Sequence, residues 1–268
     1  MIIHKYNGCG NNFIVLDYEE GTDYSQFAEK WCGKDQFDTD GLIAVKTQPL
    51  EMIYYNKDGS RAPMCGNGIR CFARYVWEKN IVKSLQFDVQ TLAGTISIEI
   101  LEQEPFYCVA QMGTPDYSIK RLAVAQTNSD SIVDQTLIID EEEVQLTCLF
   151  MGTIHTVVFV ENAQAQLKKD LGEKICHHPM FKEKTNVNFV QLISGTEMLV
   201  RTYERGVGWT LACGTGCCAA YVVAKDHGYL SKDEVTVHLE QGALVITGDQ
   251  QIQMMGPAVV EWSKELEG

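Results

Sequence analysis

Cys65 and Cys213 each open the same short phrase. Cys65-Gly66-Asn67-Gly68 and Cys213-Gly214-Thr215-Gly216 both begin ten residues after a tyrosine, Tyr55 or Tyr203, and both lead into an apolar run with helical spacing. A Gly-x-Gly turn lets backbone approach a ligand closely. The helix start behind it presents unpaired N–H groups and the positive end of the dipole. Such a terminus binds an anion and draws a thiol toward the thiolate. The N–H groups of Gly66-Asn67 and Gly214-Thr215 are therefore the expected cradle for a carboxylate. Two such phrases facing one ligand would set a thiol on each side of a carbon. A base on one face and an acid on the other is the requirement for stereoinversion. Charge developing beside the carboxylate would be stabilised by the same fixed dipoles.

The elements that must position these cysteines repeat as well. Gly94 and Gly242 each lie 29 residues beyond their cysteine, and the halves close alike at Met112-Gly113-Thr114-Pro115 and Met255-Gly256-Pro257. The expected division is residues 1–115 around Cys65 and 116–257 around Cys213, with a strand in 258–268 returning to the first unit. Strands are expected at Ile2–Lys5, Phe13–Asp17, Gly41–Val45, Glu51–Asn56, Ser84–Gln90, Gly94–Leu101 and Phe106–Met112, with a short helix at Ser25–Cys32. The second half reads as strands at Ser118–Leu122, Thr136–Ile139, Gln145–Phe150, Thr156–Val160, Asn188–Ile193 and Met198–Tyr203, and Asp140 to Glu143 as a solvated turn. Ile69, Phe72, Ala73 and Val76 keep helical spacing after Cys65, up to about Asn80. The run Cys217 to Ala224 has no polar face, which marks a buried helix. The fold class is α+β: two units, each a curled, mostly antiparallel sheet around one central helix.

Composition narrows the partners. A net charge of −14 argues against nucleic acid and against an anionic membrane surface. No apolar run approaches the ~20 residues of a membrane span. Met1 to Lys5 shows no basic segment leading into an apolar one, so no signal peptide is expected. Ten cysteines without such a signal read as thiols in a reducing compartment, with the cytoplasm as the default. Zinc is the competing use of clustered cysteine. Yet neither Cys213 with Cys217 and Cys218 nor Cys65 with Cys71 has Cys-x₂-Cys spacing. The same absence disfavours thiol–disulfide exchange. A pyridoxal-phosphate enzyme needs a Schiff-base lysine near a phosphate cup, and Lys34 and Lys57, the nearest to glycine motifs, do not suggest one. No metal and no cofactor are expected.

The stretches Lys5-Tyr6-Asn7-Gly8-Cys9-Gly10-Asn11-Asn12-Phe13, Tyr55-Asn56-Lys57-Asp58-Gly59-Ser60, Met64 to Cys71, Asn186-Val187-Asn188-Phe189 and Glu204-Arg205-Gly206 through Ala212 to Gly216 resemble the diaminopimelate epimerases. These belong to the cofactor-independent, two-cysteine amino-acid racemases and epimerases. The resemblance runs in order along nearly the whole chain. It implies two units about a pseudo-twofold axis and an interconversion of LL- and meso-diaminopimelate serving lysine and cell-wall precursor synthesis. By the same resemblance Cys65 and Cys213 are the acid–base pair, and Glu204 accepts from the substrate ammonium. Asn56, Asn186 and Arg205, with Asn11 contributing, hold the far end of the substrate. Two positions depart from the family pattern. Thr153, in Gly152-Thr153-Ile154-His155, replaces a distal-carboxylate asparagine, and Phe37 to Gly41 lacks the usual Gly-x-Gly before Asp40. The alternative left open is a racemase of another amino acid, such as histidine. His155 reads as structural or wall-forming. The expected partner is a small amino-acid substrate, with a homodimer as an open arrangement.

Overall fold

The computed structural model describes residues 1–125 and 129–266. The chain divides into two compact units, Met1–Gln111 with Met255–Gly268, and Met112–Met254. In chain order its elements are β1 (Ile2–Gly8), β2 (Asn11–Asp17), α1 (Tyr24–Trp31), β3 (Gly41–Thr47), β4 (Leu50–Asn56), α2 (Gly66–Glu78), β5 (Gln86–Thr91), β6 (Gly94–Gln103) and β7 (Phe106–Gly113). There follow α3 (Ile119–Leu122), β8 (Ile132–Ile139), β9 (Glu142–Met151), β10 (Thr153–Phe159), a 3₁₀ turn at Gln164–Lys168, α4 (Leu171–Cys176), β11 (Asn186–Ser194), β12 (Glu197–Glu204) and β13 (Gly208–Thr210). The chain closes with α5 (Gly214–Asp226), β14 (Val235–His238), β15 (Ala243–Thr247), β16 (Ile252–Pro257) and β17 (Val259–Glu265).

In the first unit β1 and β2 form a hairpin, β2 runs parallel to β3, and β3 turns back on β4. A parallel contact then joins β4 to β5, which pairs antiparallel with β6, and β6 with β7. The second unit repeats the pattern. Strand β9 pairs antiparallel with β10, β10 parallel with β11, and β11 antiparallel with β12. Strand β12 runs parallel to β14, which pairs antiparallel with β15. Antiparallel pairs dominate, and the parallel pairs recur at equivalent places. They arise where a crossover of a dozen or more residues intervenes, which a hairpin cannot replace.

Helix α2 lies on β1, β2 and β3, and α5 on β9, β10, β11, β12 and β15. Ile69, Cys71, Phe72, Ala73 and Val76 of α2 are fully enclosed. In α5 the run Cys217 to Ala224 is buried throughout. Each fully buried Ile, Val or Phe contributes about 1.5–3 kcal/mol, so these helices are anchored by apolar contact. Strand β17 pairs antiparallel with β1, from Ile2 opposite Glu265 to Asn7 opposite Val259. Positions 267 and 268 of the expected return segment lie outside the described residues.

Two expectations need correction. Ser118–Leu122 is not a strand. Arg121 and Leu122 donate their N–H groups back to the Ser118 carbonyl, and the Ser118 N–H bonds to the Asp116 carboxylate at 2.8 Å. Ile119 and Leu122, three apart, put their apolar side chains on one helical face, with Leu122 in the core. The Asp140–Glu143 turn is also shorter than expected. Only Asp140 and Glu141 adopt positive φ, at 50° and 69°, while Glu142 and Glu143 already pair with Ile139 and Ile138.

Candidate active site

In the first unit, Asn11 and Asn12 begin β2, Asp40 precedes β3, and Asn56 ends β4 directly opposite Gly41. One end of this sheet therefore collects the polar residues. The start of α2 is tied to that end by a chain of amides. Asn67 Nδ2 donates to Asn11 Oδ1 at 2.7 Å, and Asn11 Nδ2 donates to Asp40 Oδ2 at 3.1 Å. The same carboxylate oxygen accepts from the Asn12 N–H at 2.9 Å. Gly8 permits this closeness, because a Cβ there would sit 2.9 Å from the Asn67 carbonyl oxygen. Cys65 is the N-cap of α2: its sulfur accepts from the Gly68 N–H at 3.4 Å, and its side chain remains partly exposed. The helix thus begins on a sulfur in the place of the usual capping oxygen. Asn56 bonds locally instead, from Nδ2 to Ser60 Oγ at 3.0 Å.

The second unit builds the corresponding end from β10, β11 and β12. Thr153 and Asn186 begin β10 and β11, Glu204 ends β12, and Arg205 follows. Asn186 Oδ1 accepts from the Arg205 N–H at 3.0 Å, and Arg205 Nη2 donates to Thr153 Oγ1 at 2.9 Å. Arg205 therefore bonds two of the other expected far-end residues. Glu204 accepts from Thr210 Oγ1 at 2.8 Å. Cys213 occupies the N-cap position of α5 and is buried, with its sulfur 3.5 Å from Thr215 Oγ1. Burial, and next the charge of Glu204, hold this thiol well above its ordinary range, against the Thr215 hydrogen bond.

His155 is fully buried, as a structural residue would be. Its Nδ1 lies 3.1 Å from Asn188 Nδ2, an amide nitrogen that can only donate, so Nδ1 accepts and the ring is neutral. Burial, with the Arg205 charge second, lowers its pKa to about 3. Asn188 also donates to the Thr156 carbonyl and accepts from Thr202 Oγ1 at 3.0 Å. A Cβ on Gly216 would meet Asn188 Oδ1 at 2.3 Å, so glycine is required where α5 crosses this network. Sequence reasoning missed Asn188, Asp40 and Arg70. Arg70 stands beside the apolar arc of α2, one turn from Gly66, and that placement was the available signal. Among the described residues no cluster of His, Cys, Asp or Glu is arranged to hold a metal ion.

The fold defined by these two units has solved relatives. The chain is similar to a phenazine biosynthesis protein of the PhzF family from Bacillus anthracis, with a TM-score of 0.70 at 16% identity, covering 99% of this chain and 98% of that one. It is also similar to a hydroxyproline epimerase from Agrobacterium vitis, with a TM-score of 0.68 at 11% identity, covering 98% and 91%. The particular family follows from sequence. The diaminopimelate epimerase family model matches residues 3–118 and 147–261. Diaminopimelate epimerase of Caldanaerobacter subterraneus subsp. tengcongensis is 38% identical over 98% of both chains. That of Halothermothrix orenii is 38% identical over 95% of this chain and 93% of its own. The chain belongs to the diaminopimelate epimerase family.

Proposed function

We propose that this protein interconverts LL- and meso-diaminopimelate by inverting one α-carbon with two thiols and no cofactor, an isomerisation in lysine and cell-wall precursor synthesis. The observation that carries the reading is the cysteine at the N-cap position of a buried helix in each unit, in a chain whose full-length relatives bear the diaminopimelate epimerase name. One sulfur, as thiolate, takes the α-proton, and the other, as thiol, delivers a proton to the opposite face. Opposite substrate hands reverse the roles. N–H groups of Gly66, Asn67, Gly214 and Thr215 receive the α-carboxylate and the charge that spreads into it. Glu204 takes the ammonium. Arg205, Asn186, Thr153, Asn56 and Asn11 serve the far end, with Arg205 as the carboxylate fork. No helix among the described residues is long and apolar enough to cross a membrane, and the cytoplasm is the proposed location.

The test is a substrate panel followed by chiral chromatography. Diaminopimelate should be inverted in both directions, in the presence of chelator, with histidine untouched. Inversion of histidine without diaminopimelate turnover would overturn the assignment.

A further inference from the structure

The turn Asn56-Lys57-Asp58-Gly59-Ser60, where β4 ends, is built around one exposed carboxylate. Asp58 Oδ1 accepts from the Ser60 hydroxyl at 2.5 Å and from the Ser60 N–H at 3.0 Å. These bonds, the hydroxyl first, hold the Asp58 carboxyl below its ordinary range, so it is ionised at neutral pH. Ser60 Oγ in turn lies 3.0 Å from Asn56 Nδ2. The backbone holds the three side chains in this order. The Asn56 N–H donates to the Ser60 carbonyl at 2.9 Å, and the Gly59 N–H to the Asn56 carbonyl at 3.0 Å. Ser25 Oγ of α1 donates to the Gly59 carbonyl at 2.8 Å, and a Cβ on Gly59 would stand 2.7 Å from Glu29 Oε1. The turn is thus seated against α1.

Hydrogen-bond polarity runs one way along this chain. An ionised carboxylate only accepts, so the single hydroxyl hydrogen of Ser60 goes to Asp58. Ser60 Oγ then has only lone pairs for Asn56, which must offer its NH₂. The other side of that amide, Oδ1, faces away from Ser60. Strand alternation puts Asn56 on the face of β4 shared with Met52 and Tyr54. Met52 reaches the start of α2, where a Cβ on Gly68 would lie 3.1 Å from its Cε. Asn56 therefore stands on the helix-covered face, at the sheet end that carries Asn11 and Asp40. Asn11 is set differently: its Oδ1 accepts from Asn67 and its Nδ2 donates to Asp40.

We propose that Asp58 and Ser60 are positioning residues that hold Asn56 with its carbonyl oxygen toward the substrate, as the acceptor for the far-end ammonium of diaminopimelate. The proposal rests on the diaminopimelate reading above. An amide oxygen accepts from an ammonium and repels a carboxylate, whereas the same amide turned end for end does the opposite. The relay therefore separates the two charged groups of the far end, with Arg205 suited to the carboxylate and Asn56 to the ammonium.

The test compares diaminopimelate, by KM, with 2-aminopimelate, by competitive KI; the second ligand has both carboxylates and no far-end amine. In the wild type 2-aminopimelate should bind about tenfold more weakly, the lower end for one hydrogen bond to a charged group. Ser60→Ala removes the acceptor for the Asn56 NH₂ and should raise KM for diaminopimelate about tenfold, with the KI for 2-aminopimelate unmoved. Asp58→Ala should show the same pattern, because the released Ser60 hydroxyl can donate to Asn56 and turn its amide over. Ser60→Thr keeps the hydroxyl and should keep the wild-type discrimination. A merely distorted turn would weaken both ligands alike. Equal losses for the two ligands, or an unchanged KM in both alanine variants, overturn the proposal. If Ser60→Ala does not fold, Asp58→Ala and Ser60→Thr decide. A wild type that does not turn over diaminopimelate sinks the substrate reading and this proposal with it; one that does, with discrimination unchanged in the variants, sinks this proposal alone.

Discussion

Arg205 donates to the Thr153 hydroxyl at 2.9 Å, so the threonine that departs from the family pattern supports the arginine that would grip a distal carboxylate. A second bond, to the Glu183 carbonyl at 2.9 Å, holds the other arm of the guanidinium. The substitution therefore preserves an acceptor for the fork.

Thr153→Val removes that acceptor. A hydrogen bond to a charged group contributes about 1.5–3 kcal/mol, and its loss from the Arg205 support should raise KM for diaminopimelate about tenfold. Turnover number should change much less. Thr153→Asn keeps an acceptor and should match or lower the wild-type KM. Steady-state kinetics on both variants checks this; an unchanged KM in Thr153→Val would remove Arg205 from the substrate's far end.

The two helix starts should tolerate a methyl group unequally. At Gly216 a Cβ would lie 2.3 Å from Asn188 Oδ1, which is fixed by His155, Thr156 and Thr202. At Gly68 the nearest atoms are the flexible ends of Ile43 and Met52, both at 3.1 Å. Gly216→Ala should cost about 1–3 kcal/mol or more through overpacking, read as a fall of several degrees in Tm. Gly68→Ala should be clearly milder. Equal melting temperatures would contradict the geometry.

Stability should fall on the acid side for a specific reason. His155 stays neutral in the folded state down to about pH 3, while the unfolded chain protonates it near 6.5. Between these values the unfolded state binds more protons, so stability rises with pH across the window and is lost as pH falls through it. Buried His4 is shifted in the same direction, by burial first and then by Lys79. His155→Gln should flatten the dependence between pH 6.5 and about 3 in urea denaturation. An unchanged slope would mean the ring is not buried neutral.

His227 should act on the other limb. Its Nδ1 lies 2.8 Å from the Val223 carbonyl and its Nε2 2.7 Å from the Asp134 carboxylate, so both nitrogens face acceptors and the protonated ring is favoured. Burial opposes this, but the two bonds prevail and raise the pKa. Its stabilisation is therefore full below about pH 6.5 and lost as pH rises through the raised value. His227→Gln should remove that loss, and a stability profile above neutrality identical to wild type would refute it.

Much of this was legible in the chain. The cysteine phrases, their glycines and the apolar spacing after each sulfur specify a capped helix by local rules, and both helices stand there. The strands were equally plain at β3, from its continuous apolar run, and at β6, from its alternation. Ser118–Leu122 was misread because five residues with two apolar positions fit either period, and the Asp116 carboxylate decides for a turn of helix. The parallel pairings of β2 with β3 and β10 with β11 are long-range choices that no local pattern encodes. Arg70 lay inside a motif already singled out. Residue type alone points arginine to the surface, and only the packed helix reveals that its partners are the Gly66 and Pro257 carbonyls and the Asn67 amide.

The most direct measurement is deuterium incorporation. Wild-type protein given LL-diaminopimelate in deuterated water should yield meso product labelled at the inverted α-carbon from the first turnovers, with the remaining LL substrate unlabelled early on. This follows because the incoming proton is carried by a second thiol that has exchanged with solvent. Cys65→Ala and Cys213→Ala should each fold and give no inverted product. Unlabelled inverted product, or sustained inversion in both directions by either variant, would contradict the two-thiol account.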